Sequence, residues 1–197
     1  MPKEKREIQK QDVMPLDVYI KNRKELRKNI VSFKKDRRIA LGPYATFYFE
    51  NYETILAQVQ EMLYIEKGGD EQLKDELQAY NPLIPNGKEL TATLMFEIDN
   101  PVSRSAFLSK VGGIEEKVFI KIDGEIVKAV PEKDVDRTSA DGKASSVQFI
   151  HFELTDKQIQ KFKLKNIDIE LGIDHKDYSH TTKLSLENIN SLSADFN

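Results

Sequence analysis

The hydrophobic period of this chain changes once, and the change divides it. Up to Tyr80 apolar residues recur every three or four positions, and from Leu90 they recur every second position. A period near 3.6 builds helices and a period of two builds strands, so the chain must combine both. Leu26, Ile30 and Phe33 form a narrow stripe on a basic helix opened by Pro15-Leu16-Asp17. Phe49, Tyr52, Leu56, Val59 and Leu63 form a second stripe, widened by Tyr48, Ile55 and Met62. A stripe that wide must be buried against something large. It predicts a long helix entered after Gly42-Pro43-Tyr44 and ended by Gly68-Gly69. Leu73, Leu77 and Tyr80 predict an acidic helix over 70–80, stopped by Asn81-Pro82.

After the turn-rich segment 81–87 the alternation of Leu90, Ala92, Leu94, Phe96 and Ile98 with polar neighbours predicts a strand. Asp123-Gly124, between alternating runs at 117–122 and 125–130, predicts a two-residue hairpin, because a type I′ turn needs positive φ at both positions. Residues 146–154 are apolar on both faces and read as a central strand. Ile167, Ile169, Leu171 and Ile173 read as a half-exposed strand, and short helices are expected over 101–111, 155–165 and 186–192. The fold class is therefore α+β. N-terminal helices precede a mainly antiparallel sheet of about five strands covered by the long helix. The 197 residues suffice for one core, so a charged, flexible start at 1–13 is expected before a single domain at 14–197. A helical sub-module at 14–81 and a sheet sub-module at 88–197 are its natural subdivision.

Charge is unevenly placed. Residues 1–38 carry 13 Lys/Arg against 6 Asp/Glu, a balance of +7, and the remainder carries 17 against 27, a balance of −10. A basic arm on an acidic body invites an anionic partner or a solvated, docked helix. Nucleic acid is not expected, because Asp17, Glu25 and Asp36 interrupt the positive field and no aromatics interleave for base stacking. The charged first residues lack the apolar core of a secretory signal, and no apolar run is long enough to span a bilayer, so a cytoplasmic location is expected.

No nucleophile elbow, zinc-protease or dinucleotide motif occurs, and there is no cysteine for thiol or iron–sulfur chemistry. Three weaker constellations remain. His151 shares a pleat face with Glu153, and Glu97 lies on another strand. These three donors, or separately His175 with Asp177, would suit Fe or Mn, although no cofactor is otherwise expected. A hydrogen-bonded core histidine is the competing interpretation. Arg104 and Arg137, with Thr138, could read an anionic ligand, in competition with ordinary loop ion pairs. The aromatic run from Tyr44 to Tyr52 exceeds what one helix face can bury, so Tyr44, Tyr48, Glu50 and Asn51 are expected to present a partner surface, unless the aromatics are core. Glu50 and Glu61, eleven residues apart on the expected helix, share an azimuth but sit about 16 Å apart and cannot bind one ion together.

Several stretches resemble a bacterial family catalogued as a domain of unknown function, number 3501. They are Arg38-Ile39-Ala40-Leu41-Gly42, Ala45-Thr-Phe-Tyr-Phe-Glu-Asn-Tyr-Glu-Thr54, Glu61-Met-Leu-Tyr-Ile-Glu66, Ala79-Tyr-Asn-Pro-Leu-Ile-Pro-Asn-Gly87 and Ala92-Thr-Leu-Met-Phe-Glu97. Arg137-Thr138 with Ser145-Ser-Val-Gln-Phe149, and His175 with Tyr178, belong to the same pattern. The resemblance implies a gene neighbourhood that includes a rubrerythrin-like protein and a cysteine-rich iron–sulfur oxidoreductase, and hence a role beside redox partners. It assigns no catalytic residue. The function expected is a non-catalytic accessory or binding protein acting with those partners. An Fe- or Mn-dependent enzyme or iron carrier and an anionic small-ligand-binding protein are the alternatives.

Overall fold

Asn51 decides where the first large amphipathic helix begins. Its side chain accepts the Thr54 N–H at 3.1 Å, and Thr54 Oγ1 accepts the Asn51 N–H at 2.9 Å, a reciprocal cap that satisfies two helix-end donors. In the computed structural model of the chain, which describes residues 6–132, 138–139, 142–164 and 166–197, the helix runs from Tyr52 to Glu66. Residues 45–50, expected to open that helix, are a strand instead. Phe47 and Phe49 point to one face and Thr46, Tyr48 and Glu50 to the other, a period of two that the overlapping 3.6 stripe concealed. Glu50 and Glu61 therefore lie on different elements.

Chain order is α1 (Leu16–Lys34), β1 (Arg38–Leu41), β2 (Ala45–Glu50), α2 (Tyr52–Glu66), α3 (Gly69–Tyr80), β3 (Glu89–Phe96) and α4 (Pro101–Leu108). Then follow β4 (Val118–Ile122), β5 (Glu125–Lys128), β6 (Val130–Pro131), β7 (Val147–Glu153), α5 (Asp156–Phe162), β8 (Ile169–His175), β9 (Tyr178–Lys183) and α6 (Leu186–Ser193). The class is α+β, but the strands form two antiparallel sheets, ordered β1-β2-β3-β7-β6 and β5-β4-β8-β9, where one sheet of about five strands was expected. The expected hairpin is present: Asp123 and Gly124 have φ of 50° and 82° between Ile122 and Glu125. The polar stretch around His175 and His180 is also a hairpin, joining β8 to β9.

The inner faces of the two sheets share one core that includes Phe47, Phe49, Leu94, Phe152, Ile120 and Leu171. At one edge the chain steps between sheets at Ala129, whose N–H donates to Val118 O at 2.9 Å. At the other, Tyr178 of β9 donates its hydroxyl to Leu41 O at 2.5 Å and accepts the N–H of Tyr44 at 3.2 Å and of Ala45 at 3.0 Å. A second core fills the outer side of the first sheet, where Tyr52, Ile55 and Val59 of α2 and Leu73 of α3 meet Leu83, Ile84 and Phe149. That is the helix-covered face the wide stripe demanded. Ile8 is buried in this core, and its N–H and carbonyl bond to the Asn81 side chain at 2.9 and 3.0 Å, so residues 6–13 are anchored where a flexible start was expected.

Arg37 is fully buried behind α1. It donates to Phe49 O at 3.0 Å, Glu50 O at 3.1 Å and Ser191 O at 3.2 Å, and pairs with Asp195. One guanidinium thus joins the end of α1, strand β2 and the C-terminal helix. Among the described residues no helix is long and apolar enough to cross a membrane.

Candidate functional site

Helix α1 has nineteen residues, of which only Tyr19 is buried. A helix held so lightly needs specific anchors, and they cluster in its first half. The Tyr19 hydroxyl donates to Glu61 of α2, and Arg23 donates to the same carboxylate in a fork, Nε to Oε1 at 2.9 Å and Nη2 to Oε2 at 2.8 Å. The Arg23 guanidinium lies 4.2 Å from the centre of the Tyr64 ring, and Tyr19 meets that ring edge-on. The Arg23 hydrogen bond, opposed by burial and helped by Tyr19, holds the Glu61 carboxyl below its ordinary pKa.

Beyond the anchors, α1 and α2 leave an open groove of about 720 Å³. Leu26, Ile30 and Phe33, the narrow apolar stripe of the basic helix, line one wall, and Leu56 and Ala57 line the other. Phe33 stays 39% exposed and Val31 67%. Arg27 and Lys34 stand on the α1 rim, Glu53 and Gln58 on the α2 rim. A smaller hollow of about 370 Å³ continues past Arg27 between Ile20, Lys24 and Tyr64. Lys21, Lys24, Lys28 and Lys34 form no ion pair among the described residues. The main groove combines the volume of a binding site with an apolar floor and a polar surround that also includes Asp12, Asn29, Gln60 and Glu61.

The expected metal donors do not meet. Glu97 accepts from Thr46 Oγ1 at 2.5 Å and the Tyr48 hydroxyl at 2.8 Å, with Arg38 at 3.5 Å. The Thr46 hydrogen bond, opposed by burial and joined by Tyr48 and Arg38, lowers its pKa. His151 pairs with Thr91, six residues back along β3 and roughly 20 Å from Glu97. Glu153 is exposed opposite Glu89, and His175 lies in the second sheet, its Nδ1 accepting the Asp177 N–H at 3.2 Å. His151 instead sits between two other carboxylates, Nδ1 3.0 Å from Glu89 Oε2 and Nε2 3.0 Å from Glu132 Oε2. Burial disfavours the imidazolium, but the hydrogen bonds and charges of Glu89 and Glu132 outweigh it, and the pKa is raised. With both ring nitrogens engaged on opposite sides, the cluster clamps three strand segments. Among the described residues, no group of three or more His, Asp or Glu is placed to hold a metal ion.

Arg104 and Thr138 also serve local structure. Arg104 donates to Ile98 O at 2.9 Å, and Thr138 accepts the Gly113 N–H at 3.0 Å and donates to Glu115 at 2.9 Å. Arg137 lies outside the described residues. Of the four expected partner-surface residues, Tyr44 is exposed and Tyr48 half-buried, but Glu50 and Asn51 are buried, a correction with a plain cause. Asn51 is spent on the α2 cap, and Glu50 accepts from Thr54 Oγ1 at 2.5 Å and Thr93 Oγ1 at 3.0 Å. The groove residues were visible in the sequence as the Leu26, Ile30 and Phe33 stripe. Glu89 and Glu132 carried no sequence signal, because only strand register brings them to His151.

Over residues 7–196 the chain matches the family described as "Protein of unknown function (DUF3501)", and it belongs to that family. It is also similar to a crystallised protein of unknown function from Burkholderia pseudomallei K96243, at 34% identity and a TM-score of 0.90, covering 96% of this chain and 99% of that one. No match is found among curated proteins.

Proposed function

We propose that this protein is a non-catalytic accessory protein that docks a partner in the groove between α1 and α2. The observation that carries the reading is the half-covered stripe of Leu26, Ile30 and Phe33 on a helix with one buried residue. Apolar side chains left beside an open groove favour association, because covering them removes apolar surface from water. The charge asymmetry supports the same face, since it gathers cations on α1 above an acidic body.

The rubrerythrin-like protein and the iron–sulfur oxidoreductase that the family resemblance implies are the partners to try first. With no cysteine in this chain, thiol or iron–sulfur chemistry in such a complex belongs to them. Isothermal titration of the full chain against each protein tests the reading. Ala57→Gln, which fills the groove, and Phe33→Ser, which removes its exposed aromatic wall, are expected to weaken binding at least about tenfold. Ile126→Ser, an exposed apolar position on β5, should leave it unchanged. Binding to neither protein, or binding indifferent to Ala57→Gln, would overturn the assignment.

A further inference from the structure

We infer that the track on α2 and α3 filled by residues 6–14 is a peptide-binding site, and that a partner's segment with an aliphatic anchor and an aspartate four residues on displaces the chain's own strap from it. The inference is independent of the docking reading above. It starts from how the strap is held. The Asn81 side chain accepts the Ile8 N–H at 2.9 Å and donates to the Ile8 carbonyl at 3.0 Å. Gln60 of α2 repeats this at Met14, accepting its N–H at 2.9 Å and donating to its carbonyl at 3.0 Å. A primary amide carries both an acceptor and donors, so each clamp pairs one residue's backbone in both directions, as a neighbouring strand would. Such clamps hold a backbone whatever its side chains. Main-chain bonds for affinity and pockets for selection are the means by which extended peptides are recognised.

Selection on this track is confined to a few positions. Ile8 is 1% exposed and joins the second core. Asp12 hydrogen-bonds the Tyr52 hydroxyl, and Val13 packs against the same core. Gln9, Lys10 and Gln11 between them are exposed. The occupant is therefore defined as an aliphatic residue, three unread positions, an aspartate and a small aliphatic residue. The strap that now supplies this pattern is lightly seated. Among the described residues, no backbone–backbone hydrogen bond joins residues 6–14 to the rest of the chain. Its links from Arg6 to Asn197 and from Lys10 to Asp70 lie at the surface. A hollow of about 570 Å³ remains beside it, lined by Val13, Met14, Leu63 and Leu73. The other buried members of the second core all belong to α2, α3 or the turn at Leu83 and Ile84, so the track has walls of its own. The strap competes through its covalent tether at Pro15, which keeps its effective concentration high, and a partner must outbid that advantage.

Fluorescence anisotropy with a labelled peptide of residues 6–15, added to the full chain, tests this. The Ile8→Asp chain, whose own anchor cannot seat, should bind the peptide at least about tenfold tighter than the wild type. Adding Asn81→Leu or Gln60→Leu to that chain should return binding to the wild-type level. A peptide carrying Ile8→Asp should not bind, whereas alanine at positions 9, 10 and 11 should leave binding unchanged. Circular dichroism verifies folding of each variant, and Ile8→Ala serves as a milder release of the strap. Hydrogen exchange on the wild-type chain supplies a reading without substitution. The Ile8 and Met14 amides should exchange at least about a hundredfold faster than those of β3, because the strap opens without the core. Equal protection of the two would make the strap a fixed part of the fold and overturn the inference. Equal binding to the wild-type and Ile8→Asp chains, or none to a folded Ile8→Asp chain, would do the same. A wild-type dimer abolished by Asn81→Leu would overturn the partner in favour of straps exchanged between copies.

Discussion

Replacing Arg37 by Met would remove the buried charge that ties the end of α1 and strand β2 to the C-terminal helix. The side chains of Arg37 and Asp195 are 1% and 2% exposed, so water cannot replace the lost partner. Three backbone carbonyls, of Phe49, Glu50 and Ser191, lose a donor at the same time. Breaking a buried pair from one side costs about 3–5 kcal/mol, most of it from the carboxylate left behind. A domain of this kind holds about 5–15 kcal/mol in total, so the loss is a large fraction of it. With a urea slope of about 2 kcal/mol per molar, the unfolding midpoint should fall by roughly 2 M. The pH dependence identifies the cause. Burial already raises the Asp195 pKa against the opposing Arg37 charge. Without Arg37 the folded-state pKa rises further, so the deficit should be smallest at low pH and grow as pH passes the ordinary carboxylate range. The Arg37→Met/Asp195→Leu double variant should recover much of the stability, because it leaves no orphaned charge. A midpoint shift corresponding to under about 1 kcal/mol, or equal losses at pH 5 and pH 8, would refute this account of the clamp.

Other consequences are as direct. Glu61→Gln should speed amide hydrogen exchange across α1 several-fold while β3 and β7 stay protected, because the Tyr19 and Arg23 anchors both end on that carboxylate. The same anchor holds above the ordinary carboxylate pKa and is lost as pH falls through the lowered value of Glu61, which exchange at pH 3 against pH 7 would reveal. The stabilising contribution of His151 has the opposite sign. Its raised pKa makes the contribution complete below the usual histidine value and lost as pH rises through the folded one, so His151→Gln should flatten the fall in urea midpoint above pH 6.5. Gly42→Ala should cost about 1–3 kcal/mol in chemical denaturation, since φ is +64° and the added Cβ would lie 2.7 Å from the Tyr178 hydroxyl and 2.6 Å from the His180 ring.

Helix ends and tight turns were legible because their signals are local. Asp123-Gly124 and Thr155 before α5 each act through backbone geometry within a few residues, whereas α2 is closed by Lys67 in the left-handed conformation, one residue ahead of the expected Gly68-Gly69 stop. The Ala45–Glu50 strand was not legible, because Phe47 and Phe49 fit a period of two while Phe49 and Tyr52 fit a period near 3.6, and a short apolar run satisfies both. The Thr-Phe-Tyr-Phe composition and the Asn51-to-Thr54 cap were the signals that separate them. The candidate site was half legible. The apolar stripe of α1 and its cations are in the sequence, but their exposure is not.

By itself the sequence determined the α+β class, the strand that begins near Leu90, the hairpin at Asp123-Gly124 and the concentration of positive charge before residue 39. These depend on neighbours in the chain. Tertiary structure alone decided that the strands divide into two sheets, that His151 meets Glu89 and Glu132, that Arg37 is buried against Asp195, and that the α1 stripe lines an open groove. Each of these is a pairing across tens to more than a hundred residues. No local propensity encodes such a partner, and only strand register and helix packing bring the two sides together.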